Sequence, residues 1–344
     1  MSWLNRAKRD PKKILVFSLK YLGDVIVETP ALRALDERFP DAEISVALWT
    51  GYEDVLRGNP HVDNILPIDF EKCNFFDDVK VFWMLRKLKF DMVVSFEPDD
   101  RESLWAFFCG AKRRIAPAYQ PFEFLWNVRV PIREDTMEYD DYYCEIIRAA
   151  GAPVASKKTE IFVSDEAAHW AEIFLRQIPP GKQYLIGIHP GAREPNRRWS
   201  PKKFAEIIAR LSARGDVITI VLCGRGEKKI SDEIKSHLNV SDSVTFTEAL
   251  TIQTTAALMR QCTVCITNDS APRHIAAAVR TRTIATMPRS KVPYWTLYNP
   301  QDHALLVGDD ANPDALVDSV GVQEMFDCVE RMLRTTRHEA LPAI

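Results

Sequence analysis

The feature that most constrains this chain is a rhythm. Short apolar runs alternate with helix-like segments, break off once, and start again. ILVFSL (14–19), EISVALW (43–49), NILPI (64–68) and DMVVSF (91–96) read as strands with helical stretches between them. Such alternation builds a mostly parallel sheet covered on both faces, and strands buried on both faces need unbroken apolar runs. Residues 115–137, with Pro117, Pro121 and Pro131, interrupt the rhythm and read as a long surface loop bordering an acceptor site. A helix EYDDYYCEIIRAAG then ends at Gly151. After Pro179-Pro180-Gly181, a linker candidate, YLIGIHP (184–190), VITIVLC (217–223), SVTF (243–246), VCIT (264–267) and RTIATM (282–287) repeat the pattern. In SPKKFAEIIARLSARG, Ser200 is the expected N-cap and Pro201 the first helical residue. A helical segment near 313–334 closes the chain. The expected class is α/β in two domains, 1–178 and 179–325. A C-terminal helix and tail, 326–344, is expected to pack back toward the first domain.

A chain of 344 residues can bury two cores. Its 45 Lys and Arg against 48 Asp and Glu, net −3, argue against a dedicated nucleic-acid binder. No apolar run approaches the ~18 residues that span a bilayer. The segment MSWLNRAKRDPKK lacks the apolar core of a secretion signal, which favours a cytoplasmic location. The seven cysteines are odd in number and scattered, against a disulfide framework. Cys262 and Cys265 form a lone CxxC without a second pair, so they read as small apolar residues entering a strand, and no metal is expected.

The chemistry-bearing candidates sit where apolar runs end. Gly23-Asp24 lies at a strand-to-helix turn; Asp24 is either a helix cap or a charge presented at the helix start. HPGAREPNRRW (189–199) follows a strand and offers backbone N–H groups with Arg197 or Arg198 to a phosphate, or else simply solvated arginines. Glu227, after VLCGRG, could accept from ribose hydroxyls or be an ordinary first-turn acid. In TNDSAPRHIAAA (267–278), small residues open a helix whose N–H groups could receive a diphosphate, with Asp269 and His274 flanking it.

Those motifs, taken with NPHVDNI and GAKRRI, resemble glycosyltransferase family nine, the ADP-heptose:lipopolysaccharide heptosyltransferases, over nearly the whole chain. The first motif and NDSAPRHIAAA look most like the branch adding a side-branch inner-core heptose. The resemblance implies a GT-B fold, two Rossmann-like domains facing a central cleft, with the acceptor on the first and the nucleotide sugar on the second. It implies an inverting, metal-independent transfer of heptose from ADP-heptose to a lipopolysaccharide inner-core sugar, without cofactor. Asp24 matches the family's general base. Gly191, Ala192, Arg197, Glu227, Asp269, Ser270, Ala271 and His274 match donor-binding positions, and Lys20, Gly23, Glu97 and Arg101 are acceptor-side candidates.

Departures from the family pattern are Ala271 and Arg273, Arg280-Thr281-Arg282 in place of Gly-Thr-Pro, MPRSK (287–291) and the acidic loop FEPDDRE (96–102). Two alternatives stand beside the heptosyltransferase. One is a GT-B enzyme using another nucleotide sugar or a non-lipid acceptor. The other is a non-catalytic binding protein on the same fold. A phosphorylated acceptor would seek basic patches; Arg86, Lys87, Lys89, Lys112 to Arg114, and the N-terminal set beside Trp3 and Leu4 are candidates. The N-terminal set could also touch anionic lipid at the inner face of the cytoplasmic membrane, and each patch otherwise reads as solvated surface.

Overall fold

The computed structural model describes residues 10–69, 75–120, 122–133, 137–179, 181–238 and 243–335. The chain divides into two compact units, Met1–Thr159 and Glu160–Ile344.

In the first unit, β1 (Lys13–Ser18), β2 (Glu43–Trp49), β3 (Asn64–Ile68), β4 (Met92–Ser95), β5 (Arg113–Pro117) and β6 (Val128–Val130) form one sheet in the order β3-β2-β1-β4-β5-β6. Every pairing is parallel. The inner strands β1 and β4 are apolar and buried along their length, as strands covered on both faces must be. Leu15, Phe17, Val93, Trp105 and Trp126 form the centre of one core. Burying each such side chain is worth about 1.5–3 kcal/mol.

In the second unit, β7 (Tyr184–His189), β8 (Val217–Gly224), β9 (Val244–Leu250), β10 (Val264–Asn268), β11 (Arg282–Met287) and β12 (His303–Val307) are again all parallel, in the order β12-β11-β10-β7-β8-β9. Counted from one within each unit, both sheets read 3-2-1-4-5-6. In this order the connections leave the first and fourth strands toward opposite sides, which opens a crevice at their carboxyl ends. That switch point falls between β1 and β4 in the first unit and between β7 and β10 in the second. Phe17 stands opposite Ser95 in one, and His189 opposite Thr267 in the other.

The structure corrects the sequence reading in four places. The stretch 115–137 is not one loop: it holds the end of β5, a turn at Glu123–Leu125 and β6. HALLV, unassigned from sequence, is the edge strand β12. The units divide after Thr159, before the Pro-Pro-Gly turn. The helix Asp165–Leu175 belongs to the second unit, where Gln253 accepts from Ser164 N–H at 2.9 Å and donates to the Phe162 carbonyl at 3.2 Å. The C-terminal helix Val322–Thr335 is also part of the second unit. Its Met325, Val329 and Met332 join Trp199, Phe204 and Ile266 in one core, and Trp199 Nε1 donates to the Val320 carbonyl at 3.0 Å. The tail 336–344 and the N-terminal set with Trp3 and Leu4 lie outside the described residues.

Candidate functional site

The chain past β1 enters the helix Leu22–Val27 almost at once, so Gly23 and Asp24 both sit in its first turn. Gly23 is therefore a helical residue, not the turn glycine the sequence suggested. Asp24 is 8% exposed, and its carboxylate accepts the Tyr21 N–H at 3.0 Å. The capping role is real, and it fixes the carboxylate at the end of β1.

Three more carboxyls gather there. Glu28, one helical turn past Asp24, is buried and accepts from the Ser18 hydroxyl. From β4, Ser95 donates in the same way to buried Glu102. Glu97 accepts from the Tyr143 hydroxyl at 3.1 Å and lies 3.7 Å from Lys20 Nζ. Burial raises Glu28 well above the usual carboxyl range; the Ser18 bond opposes this, and the charges of Asp24, Glu97 and Glu102 reinforce it. Burial likewise carries Glu102 to about 8, against the Ser95 bond. Near pH 7 Glu102 is largely a neutral acid, and burial pushes Glu28 in the same direction. Tyr143, raised by burial and then by the charges of Asp24, Glu97 and Glu28, keeps its proton and donates it to Glu97. Lys20 and Glu97 thus belong to one cluster with the Asp24 turn. Arg101 is ion-paired with Asp78 of the helix Phe75–Leu88 at 3.2 Å. Asp99 caps the helix Asp100–Phe108 by accepting from Glu102 N–H.

The second switch point carries the opposite charge. Asn268, fully buried at the end of β10, donates to the Pro190 carbonyl at 2.7 Å and accepts from Trp199 N–H at 2.9 Å and the Thr286 hydroxyl at 3.0 Å. It clamps the 190–199 loop across the mouth of β7. Ser270 adds a bond to the Gly191 carbonyl. Arg198 Nε donates to the Ala192 carbonyl and so holds the loop, which leaves Arg197 as the arginine directed at the turn. Arg197 pairs with Asp269, and Arg273 pairs with the other oxygen of the same carboxylate at 3.1 Å. Asp269 is therefore not a helix cap. Glu194 lies 4.0 Å from Arg197 and pairs with Arg193 at 3.1 Å, so three guanidiniums meet two carboxylates and one formal positive charge remains near Ser270 and Ala271, where the helix Ala271–Ala278 begins with its positive dipole end.

Arg273 is 1% exposed, donates to the Trp295 carbonyl at 2.9 Å and lies over the Tyr298 ring. His274 shares a 2.8 Å hydrogen bond with the Tyr298 hydroxyl. Burial, then the charges of Arg273 and Arg197, push its pKa well below the ordinary histidine range. His189 is lowered by burial although Glu227 opposes the shift. Both rings are neutral at pH 7.

Glu227 nests among glycines. It accepts from Gly224 N–H at 2.9 Å and lies 3.4 Å from His189 Nε2. A Cβ at Gly191 would overlap its carboxyl group, and one at Gly224 would come within 2.8 Å. Beside it opens a pocket of about 380 Å³ lined by Arg198, Trp199, Gly226 and Lys229. Away from both switch points, Glu138, Asp140 and Asp141 are close enough to share a cation, but Lys157 Nζ already bridges the two aspartates at 3.2 and 2.6 Å.

Sequence reasoning missed Ser18, Glu28, Ser95, Glu102, Tyr143 and Asn268. Their signal was present but faint: a serine closing each of two apolar runs, and an asparagine closing a third.

Known proteins bear on this arrangement. The model of glycosyltransferase family 9 (heptosyltransferase) matches residues 79–318. Lipopolysaccharide heptosyltransferase 3 of Escherichia coli is 25% identical, covering 80% of this chain and 84% of its own. Lipopolysaccharide heptosyltransferase 2 of Escherichia coli is 23% identical, covering 79% and 82%. Among solved structures, a family 9 glycosyl transferase from Veillonella parvula superposes with a TM-score of 0.82 at 21% identity, covering 94% of this chain and 98% of that one. Heptosyltransferase WaaC of Escherichia coli with ADP-2-deoxy-2-fluoro heptose gives 0.71 at 12% identity, covering 93% and 99%. These likenesses fit the two Rossmann-like units.

Proposed function

Since the chain belongs to glycosyltransferase family 9, we propose that it moves heptose from ADP-heptose to a lipopolysaccharide inner-core sugar, inverting the anomeric centre without a metal ion. The acceptor is assigned to the first unit and the donor to the second. What carries this reading is the contrast at the two switch points: a carboxyl cluster around Asp24 and a net positive turn around Asp269.

Asp24 takes the proton of the acceptor hydroxyl as its oxygen attacks the anomeric carbon. The bond to the ADP oxygen breaks on the opposite face, and the electron pair leaves with the diphosphate. By analogy with inverting glycosidases, one base suffices for such a displacement. Burial, which favours the protonated forms of Glu28 and Glu102, limits the negative charge that gathers on the acceptor side. Lys20 offsets Glu97.

The leaving diphosphate builds negative charge. Arg197, oriented by Asp269, and the N–H groups opening the helix at Ala271 supply fixed positive ends for it. Gly191 and Ala192 let the backbone approach, and Ser270 holds Gly191. Glu227 offers its free oxygen to the ribose, and neutral His274 lines the turn without adding charge.

The test is a transfer assay with ADP-heptose and inner-core lipopolysaccharide, with the product linkage read by NMR. An inverted heptoside is expected. Transfer from a UDP-sugar but not from ADP-heptose would replace the donor assignment. Binding without turnover of any nucleotide sugar would favour a non-catalytic role.

A further inference from the structure

The donor turn holds a charge that the proposed chemistry has not yet used. Arg273, four residues after Asp269 and in the first turn of the helix Ala271–Ala278, is 1% exposed. A guanidinium taken out of water is costly even when paired, and an apolar side chain of similar volume fills such a place at least as stably. Stability alone therefore does not call for an arginine here. Its Nε is buried with no hydrogen-bond partner among the described residues, which adds to the cost.

The two terminal nitrogens of Arg273 go to different partners. Nη1 donates to Asp269 Oδ1 at 3.1 Å and Nη2 to the Trp295 carbonyl at 2.9 Å. Its Cζ lies 5.3 Å from the centre of the Tyr298 ring, and Tyr298 shares a 2.8 Å hydrogen bond with His274. The guanidinium is thus fixed on three sides, and it occupies one oxygen of Asp269. The opposite oxygen, Oδ2, accepts from Arg197 Nη2. Arg197 makes this contact through a single nitrogen. Its Nε has no hydrogen-bond partner among the described residues, and Glu194, 4.0 Å from Nη1, is already paired with Arg193 at 3.1 Å.

An arginine that faces a carboxylate with both oxygens open closes a two-pronged pair, which uses two of its donors and its charge together. Arg273 blocks that closure by holding Oδ1. With Arg273 present, two guanidiniums share the Asp269 carboxylate and a positive charge is left for an anion. With Arg273 removed, Arg197 and Asp269 neutralise each other.

We propose that Arg273 is a positioning residue for the donor. By holding Asp269 Oδ1 it keeps Arg197 in a single-pronged contact, with donors and charge free for the diphosphate. This rests on the reading that Arg197 binds the diphosphate.

ADP affinity, measured by calorimetry on the full chain, tests both levels. Arg197→Ala addresses the underlying reading and should weaken ADP by about tenfold or more, the worth of one charge-assisted hydrogen bond. Arg273→Met leaves Asp269 compensated by Arg197 and should weaken ADP by about tenfold as well. Arg273→Lys, whose ammonium can still occupy Oδ1, should stay within about threefold of wild type. Adding Asp269→Asn to Arg273→Met should bring affinity back to within about threefold of wild type, because asparagine accepts one bond from Arg197 without neutralising it. A purely structural Arg273 gives no such recovery, since the double variant still lacks the contact to the Trp295 carbonyl. Wild-type affinity in Arg273→Met beside a loss in Arg197→Ala overturns the inference and leaves the donor reading standing. A loss in Arg273→Met that Asp269→Asn does not recover overturns it too. Wild-type affinity in Arg197→Ala removes the donor reading, and the inference with it. If Arg273→Met does not fold, Arg273→Gln, neutral and able to donate to the Trp295 carbonyl, is read in its place against the same outcomes.

Discussion

At the carboxyl ends of β1 and β4 the first unit gathers Asp24, Glu28, Glu97 and Glu102. At the ends of β7 and β10 the second gathers Arg197 and Arg273 around Asp269, with His274 following on the same helix and His189 against Glu227. The strand order is the same in both. Fold therefore decides where a ligand is offered, and only the side chains at the switch point decide which ligand it is. Burial also acts in opposite senses. It favours the protonated forms of Glu28 and Glu102 in the first unit and the unprotonated form of His274 in the second.

The comparison can be attacked first through Asp269. Its carboxylate faces two guanidiniums, one of them fully buried. Asp269→Asn leaves Arg273 uncompensated and should cost about 3–5 kcal/mol in the second unit. Chemical denaturation followed by hydrogen exchange should place the loss at β10 and β11. A loss below 1 kcal/mol would mean that the pair is not what holds the turn.

The pH response should divide the units. Glu102 has a folded pKa near 8, far above its unfolded value, so the folded state holds a proton that the unfolded state releases. Stability from this group is present at low pH and is lost as pH rises through about 8. Glu28 acts in the same direction. Glu102→Gln should flatten that decline, which runs from the ordinary value of 4.5 to about 8 and is at most about 1.4 kcal/mol per pH unit. His274 has a depressed folded pKa, so its unfolded form takes up the proton and the second unit weakens as pH falls below the ordinary histidine range. Hydrogen exchange from acid to alkali should therefore show β10 loosening toward acid and β4 toward alkali. Parallel behaviour in both strands would contradict the contrast.

How much of this was legible in the sequence follows from the range of the interactions. The buried strands β1, β4, β7 and β10 are short apolar runs, a local signal. The edge strands β6 and β12 were not read, because each is short and only partly buried. The sequence placed the unit boundary at Pro179-Pro180-Gly181 because that run is conspicuous, whereas the division at Thr159 shows only in the contacts of the segment leading into the helix Asp165–Leu175 with Gln253. Asp24, Arg197 and Asp269 were found because they sit in motifs. Glu28, Glu102 and Asn268 were not, because their partners come from separate strands and loops: Ser18 for Glu28, Ser95 for Glu102, Pro190 and Trp199 for Asn268.

A smaller effect concerns Arg280, which takes a φ of +68°. That backbone region disfavours side chains, so Arg280→Gly should stabilise the second unit by up to about 1 kcal/mol. A thermal melt checks the sign, and destabilisation would mean that the side chain has a partner worth more than the strain. The smallest expected effect is none. Arg197 and the helix start, not a divalent ion, are assigned to the diphosphate, so EDTA should leave transfer unchanged. Activity lost to EDTA and restored by magnesium would remove that assignment.

The division of labour is tested most directly by one crossed measurement: turnover and ADP affinity on Asp24→Asn and Arg197→Ala side by side. Asparagine preserves the size of Asp24 and its cap to Tyr21 but cannot take a proton. The account predicts that Asp24→Asn binds ADP like wild type and turns over about 10²–10⁴ times more slowly. Arg197→Ala should lose ADP affinity as well as rate. Near wild-type turnover in Asp24→Asn, or weakened ADP binding in that variant, would contradict the assignment of base and donor to separate units.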